Sequence, residues 1–137
     1  MKKMMSSLVL AGFFIACSNE TSVNELADNN FSVENIILNG RQMQLGANEM
    51  GEGAVMNFEK DKFTGFVGCN RFFGSYEFKN GTLSFKDDTA STKMLCDPRI
   101  SEVEDGLLVN LKGDFSLEKN ANDFVLKNEN ISIFLKK

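Results

Sequence analysis

The stretch GFVGCNRFFGSY, residues 65–76, sets a cysteine beside an Asn-Arg pair inside a frame of glycines and aromatics. Asn tolerates left-handed backbone angles and bonds to nearby backbone groups, so Cys69-Asn70-Arg71 reads as a tight corner between strands. Arg71 admits a second reading, bidentate recognition of a carboxylate or phosphate. The structural role is the favoured one.

Working outward, the chain breaks into short apolar segments separated by turn signals, as strands do. FSVENIIL, residues 31–38, ends at Asn39-Gly40, a strong turn dipeptide. GANEMGEG reads as loop. AVMNF and KFTGFV flank Glu59-Lys60-Asp61 as a hairpin, and FFGSYEF and TLSF are joined by Lys79-Asn80-Gly81. DFSLEK, DFVLK and ISIFLK close an antiparallel sheet.

One helix interrupts them. Asp97 suits the N-cap and Pro98 the first helical position. Ile100, Val103, Leu107 and Leu111 then lay one apolar stripe along it. Glu102, Glu104 and Asp105 lie early in the segment, where the helix dipole favours acids, and Gly113 is the expected stop. Gly106 weakens the interior by about 1 kcal/mol relative to Ala. The pattern predicts an α+β domain: a small antiparallel, barrel-like sheet built from hairpins, with one covering helix.

A chain of 137 residues holds one domain. It contains no histidine, which removes Ser-His-Asp and Cys-His nucleophile pairs and every His-containing zinc site. The 13 Phe, one Tyr and no Trp suit an apolar core. Phe63, Phe66, Phe72, Phe73, Tyr76, Phe78 and Phe85 crowd into one region; most belong in the core, although a Phe-lined barrel could also enclose an apolar ligand.

MKKMMSSLVLAGFFIAC, residues 1–17, has two lysines, a short apolar run and a cysteine, the order of a signal peptide. Phe14-Ile15-Ala16-Cys17 resembles a bacterial lipobox, which implies a signal peptide over 1–16, cleavage before Cys17 and lipid on that residue. Ser18 after the cysteine implies an outer-membrane lipoprotein facing the periplasm. Residues 17–30 are expected to be the lipidated cysteine and a flexible tether, and 31–137 the folded domain. Removing residues 1–16 takes Lys2 and Lys3 from 15 basic residues and none of the 19 acidic ones, leaving 13 against 19 and a net charge of −6. That acidity disfavours nucleic acid, and membrane attachment is expected through the lipid anchor alone.

Cys69 and Cys96 remain. Two cysteines in an exported chain invite a disulfide, which over this loop contributes roughly 3 kcal/mol. Two buried free thiols are the alternative, and a reactive thiol a weak third, resting on the place of Cys96 just before a helix. Two cysteines do not complete a metal set, and no cofactor is expected. Asp87-Asp88 and the trio Glu102, Glu104, Asp105 could serve as paired carboxylates; a solvated hairpin end and a solvated helix face are the simpler readings.

Gly65-x-x-Gly68-Cys69-Asn70-Arg71-Phe72-x-Gly74-x-Tyr76 resembles the signature of the META domain, the family of the heat-shock protein HslJ. Thr92-Lys93-Met94-x-Cys96, then Glu104-x-x-Leu107-Leu108-x-x-Leu111, is similar to its second block. The resemblance spans roughly residues 31–135. It departs where Asp97 directly follows Cys96 and where the usual Trp of the first strand is absent. It implies a small α+β domain of envelope lipoproteins and secreted proteins, linked to stress response and novobiocin tolerance, without catalytic activity. Its fold is similar to that of a type III secretion pilotin. The resulting expectation is a non-enzymatic envelope protein that binds an envelope protein or a lipid-like ligand. A pilotin-like secretion accessory and a thiol-dependent envelope enzyme are the alternatives.

Overall fold

The computed structural model describes residues 23–137; the expected signal peptide over 1–16, the expected lipid site Cys17 and the first part of the expected tether lie outside them. Chain turns set the architecture. Strand β1 (Asn29–Leu38) turns into the short β2 (Arg41–Gln42) through Asn39 and Gly40, both at positive φ, 50° and 79°. A long strand β5 (Arg71–Lys79) likewise turns into β6 (Thr82–Phe85) through Asn80 and Gly81 at 52° and 77°. Both are two-residue hairpin loops, in which left-handed Asn-Gly backbone matches the twist of the strands.

Between these hairpins lies a third, β3 (Val55–Phe58) and β4 (Lys62–Phe66). After β6 come the two-residue β7 (Ala90–Ser91) and helix α2 (Pro98–Asn110). The meander β8 (Gly113–Asn120), β9 (Asp123–Lys127) and β10 (Ile131–Lys136) follows. All pairings are antiparallel, in the order β1-β3-β4-β5-β6-β8-β9-β10, and β10 pairs back onto β1 from Ser32↔Lys136 to Leu38↔Ile131. The sheet thus closes into an eight-stranded barrel, the expected α+β class. Strand β1 makes this closure: Asn29 to Ser32 pair with β3 and Ser32 to Leu38 with β10, whose register shifts between Val33 and Asn35.

Inward positions alternate along the strands and carry the core. Phe31, Phe58, Phe63, Phe72, Phe85, Phe115 and Phe124 are all buried, and their rings form a contact chain with centroid spacings from 5.0 Å (Phe63–Phe85 and Phe85–Phe115) to 6.5 Å (Phe58–Phe63). Edge-to-face geometry, as between Phe31 and Phe124 at 81°, is the preferred arrangement of aromatic quadrupoles. These rings occupy the barrel interior, so an apolar ligand enclosed among them would have to displace them. Phe66 and Phe73 point outward, and Phe73 is exposed.

Glycines make room for the rings. Gly65 pairs with Phe72 and Gly74 with Phe63 across the β4–β5 ladder. A Cβ at Gly65 would lie 2.1 Å from the Phe72 ring, and one at Gly74 would lie 2.9 Å from that of Phe63. Each cross-strand pair therefore holds one ring and one vacancy.

The tether expectation for 18–30 fails over its last residues. Val23–Leu26 form a helical turn, α1, with Leu26 only 1% exposed in the core. Asn29 Nδ2 donates to the carbonyls of Glu25 (2.9 Å) and Ala27 (3.1 Å), and Glu25 pairs with Lys119. A lone leucine amid polar residues shows no period, which is why the sequence does not reveal this segment.

Helix α2 begins as expected: Asp97 accepts the Arg99 N–H at 2.9 Å, with Pro98 following it. Two expectations need correction. No acidic residue stands in its first turn, so the carboxylate that meets the helix dipole is Asp97 at the N-cap and not the trio Glu102, Glu104 and Asp105. The helix stops at Leu111, whose N–H reaches the Leu107 carbonyl, while Gly113 (φ 71°) opens β8. The weak point at Gly106 has a cause in packing: a Cβ there would lie 2.4 Å from Leu38 Cδ2. The helix thus rests directly on the end of β1.

Candidate functional site

The corner between β4 and β5 draws on both blocks of the sequence motif. Gly68 starts it, where a Cβ would meet Ile100 Cγ2 of α2 at 2.5 Å, and the neighbouring Gly46 N–H donates to the Val67 carbonyl. Cys69 is joined to Cys96 by a disulfide with Cα atoms 6.1 Å apart, so the pair is bridged rather than free. The bridge ties the corner to the start of α2.

Beneath it sits Glu104, the buried charged residue of the described part of the chain, 6% exposed. Its Oε1 accepts the backbone N–H groups of Cys69 (2.9 Å) and Asn70 (2.6 Å), and its Oε2 accepts Asn70 Nδ2 at 2.9 Å. A carboxylate out of water needs this kind of saturation. The reading of Glu104 as part of a solvated face is therefore wrong. Its spacing held the signal: it lies four residues after Ile100 and three before Leu107, on the inward side of α2.

Asn70 is the hub. Its Oδ1 accepts the Thr92 hydroxyl (3.0 Å) and the Met94 N–H (2.8 Å), while Nδ2 also lies 3.3 Å from Cys96 Sγ. Thr92 Oγ1 accepts the Arg71 N–H at 3.0 Å, and the Thr92 N–H reaches the Arg71 carbonyl. Gly68, Cys69, Asn70, Thr92, Met94, Cys96 and Glu104 are thus one assembly. Phe72, Gly74 and Tyr76 belong to the core wall. The Tyr76 hydroxyl donates to the Glu59 carbonyl, and burial, then the charges of Asp28 and Asp61, push its pKa up to about 12.

What the assembly can do chemically is limited. Cys69, Cys96 and Glu104 place ligand-type atoms within 4.8 Å of one another, but the two sulfurs are bonded together and offer no thiolate while the bridge is closed. The other acids are engaged apart: Glu102 pairs with Arg41, and Asp88 accepts the N–H and hydroxyl of Ser75. Those bonds lower the Asp88 pKa, and the Arg99 side chain followed by its N–H lowers that of Asp97.

Arg71 divides its roles. Its backbone belongs to the corner, yet its side chain is exposed and makes no ion pair among the described residues. It borders a cleft of about 750 Å³ on the outer wall, lined also by Asn30, Ser32, Asn57, Phe66 and Met94. Sequence reasoning missed this wall, although Asn30 and Ser32, two apart, mark the outward face of a strand.

No curated protein matches the chain. The META domain family model matches residues 24–136. Among solved structures, an NMR structure of a protein from Burkholderia xenovorans is similar at 21% identity and a TM-score of 0.67, covering 99% of this chain and 97% of that one. A second NMR structure matches at 24% identity and 0.64, covering 84% and 93%. A crystal structure of a lipocalin-like protein from Bacteroides uniformis matches at 17% and 0.53, covering 82% and 98%. These likenesses concern the fold, a small barrel with a helix.

Proposed function

The chain belongs to the META domain family, and on that premise we propose that it is a non-enzymatic binding domain of the cell envelope, anchored by lipid on Cys17 at the outer membrane and facing the periplasm. The observation that carries this is the closed Cys69–Cys96 bridge seated on the saturated carboxylate of Glu104. A bridge of this kind belongs to an oxidising compartment, in keeping with the export signal. It also engages both thiols of the described residues, which weighs against a thiol-dependent enzyme. The proposed task is capture of an envelope protein during stress or antibiotic challenge, the setting that the family resemblance implies. A protein partner is favoured over an acyl chain because aromatic rings fill the barrel interior, while the outer cleft mixes amides, hydroxyls and Arg71 with the apolar Val55, Phe66 and Met94.

Mass spectrometry of the exported protein, alkylated under denaturing conditions without reductant, tests the reading. A peptide cross-linked through Cys69 and Cys96 and an acylated Cys17 are expected. Alkylated Cys69 and Cys96, or an unprocessed N-terminus, would overturn it.

A further inference from the structure

The outer cleft combines the exposed cation of Arg71 with amide side chains and the apolar Val55, Phe66 and Met94. Arg71 has no acidic partner among the described residues, although the mature chain carries the excess of acids counted above. The one acid lining the cleft, Glu52, accepts Asn48 Nδ2 at 2.6 Å. Reciprocal bonds with Thr92 hold the Arg71 backbone and so fix where its side chain leaves the strand, while the exposed side chain itself is ordered on binding.

We propose that this cleft binds an acidic peptide segment, its carboxylate clasped by Arg71 and its backbone met by Asn30, Ser32 and Asn57. A guanidinium fork matches a carboxylate in two parallel bonds. Amide side chains both donate and accept, which suits a ligand that brings its own N–H and C=O groups and does not suit an acyl chain. Half-buried Phe66 and the 59% exposed Met94 offer apolar contact beside them. The volume of about 750 Å³ lies within the usual range of ligand sites. This assignment deepens the binding-domain reading and rests on it.

Calorimetric titration of the mature lipidated protein, held in neutral phosphatidylcholine nanodiscs, tests the assignment. The probe is acetyl-Ser-Leu-Ser-Leu-Asp amide, and the control is the same peptide with Asn amide in place of Asp amide. Saturable binding of the acidic peptide is expected, with the uncharged control at least about tenfold weaker, as loss of a charge-assisted pair predicts. Arg71→Gln should erase the difference between the two peptides. Asn57→Asp, which sets a like charge on the wall, should weaken the acidic peptide several-fold with an unchanged melting temperature. Equal binding of both peptides, an acid preference that survives in folded Arg71→Gln, or no binding would overturn the proposal. Failure here with the bridge closed and Cys17 acylated removes the cleft assignment alone; free thiols or an unacylated Cys17 remove the broader reading.

Discussion

Replacing Glu104 by Gln probes the corner most directly. The side chain keeps its size and one carbonyl oxygen, which can still accept the N–H groups of Cys69 and Asn70. Its other oxygen becomes an NH₂ facing Asn70 Nδ2, now 2.9 Å from Oε2, so a donor meets a donor. Asn70 cannot relieve this by turning its amide over, because Oδ1 already accepts the Thr92 hydroxyl and the Met94 N–H. One charge-assisted bond is lost outright and two are weakened, at about 1.5–3 kcal/mol for each charged bond. The expected cost is about 3 kcal/mol, or roughly a 10–15 °C fall in melting temperature for a domain of this size. Glu104→Ala strands all three donors and should cost about 4 kcal/mol or more. Urea unfolding followed by circular dichroism, with the disulfide intact, measures both. Glu102→Gln is the control: on the same helix, its side chain is 52% exposed and paired with Arg41, so it should cost under about 1 kcal/mol. A Glu104→Gln midpoint indistinguishable from that of Glu102→Gln would refute the reasoning.

Three further outcomes can be checked. Reduction of the Cys69–Cys96 bridge should lower stability by about 3 kcal/mol, read as a shift in the urea midpoint with and without dithiothreitol; an unshifted midpoint would mean that the loop is already constrained without it. Gly65→Ala should cost at least about 2 kcal/mol, since its Cβ would lie 2.1 Å from Phe72, while Gly53→Ala, with open space around it, should stay within about 0.5 kcal/mol in the same assay. Tyr76 holds its proton to about pH 12 when folded, against an ordinary phenol value of 10.0, so its contribution is whole below pH 10 and is lost as pH rises through 12. The loss is up to about 2.5 kcal/mol, with the share due to Asp28 and Asp61 reduced by salt. Midpoints measured across that range should fall more steeply in the parent than in Tyr76→Phe, and parallel slopes would contradict the assignment.

Local signals carried most of the fold into view. Asn39-Gly40 and Asn80-Gly81 mark their hairpins because few other dipeptides accept two left-handed residues. Asp97-Pro98 marks α2 for an equally local reason. Closure of the barrel is a different matter: β1 and β10 stand a whole chain apart, and β1 shares its edge with β3, so no local pattern announces the pairing. At the corner, Cys69, Asn70, Thr92, Met94, Cys96 and Glu104 come together in one hydrogen-bonded assembly, and the expected cysteine pair is bridged. The carboxylate was misread because an acid in a helix usually faces water, and only its spacing from Ile100 and Leu107 says otherwise. The outer cleft was hidden because Asn30, Ser32, Asn57 and Phe66 come together only when three strands lie side by side.

That closure also governs timing. A chain that emerges from its N-terminus delivers β1 first, yet the edge of Asn35 to Leu38 that faces β10 stays open until Phe134 to Ile131 arrive. The Cys69–Cys96 loop and the central hairpins can form earlier, since all their members lie between. Pairings this distant make folding slow, and until the final strand is through, the first offers an open edge to any neighbouring chain. Delivery of this domain is thus an interval during which its opening segment needs shielding, and a truncation that removes Ile131–Lys136 would make that interval permanent.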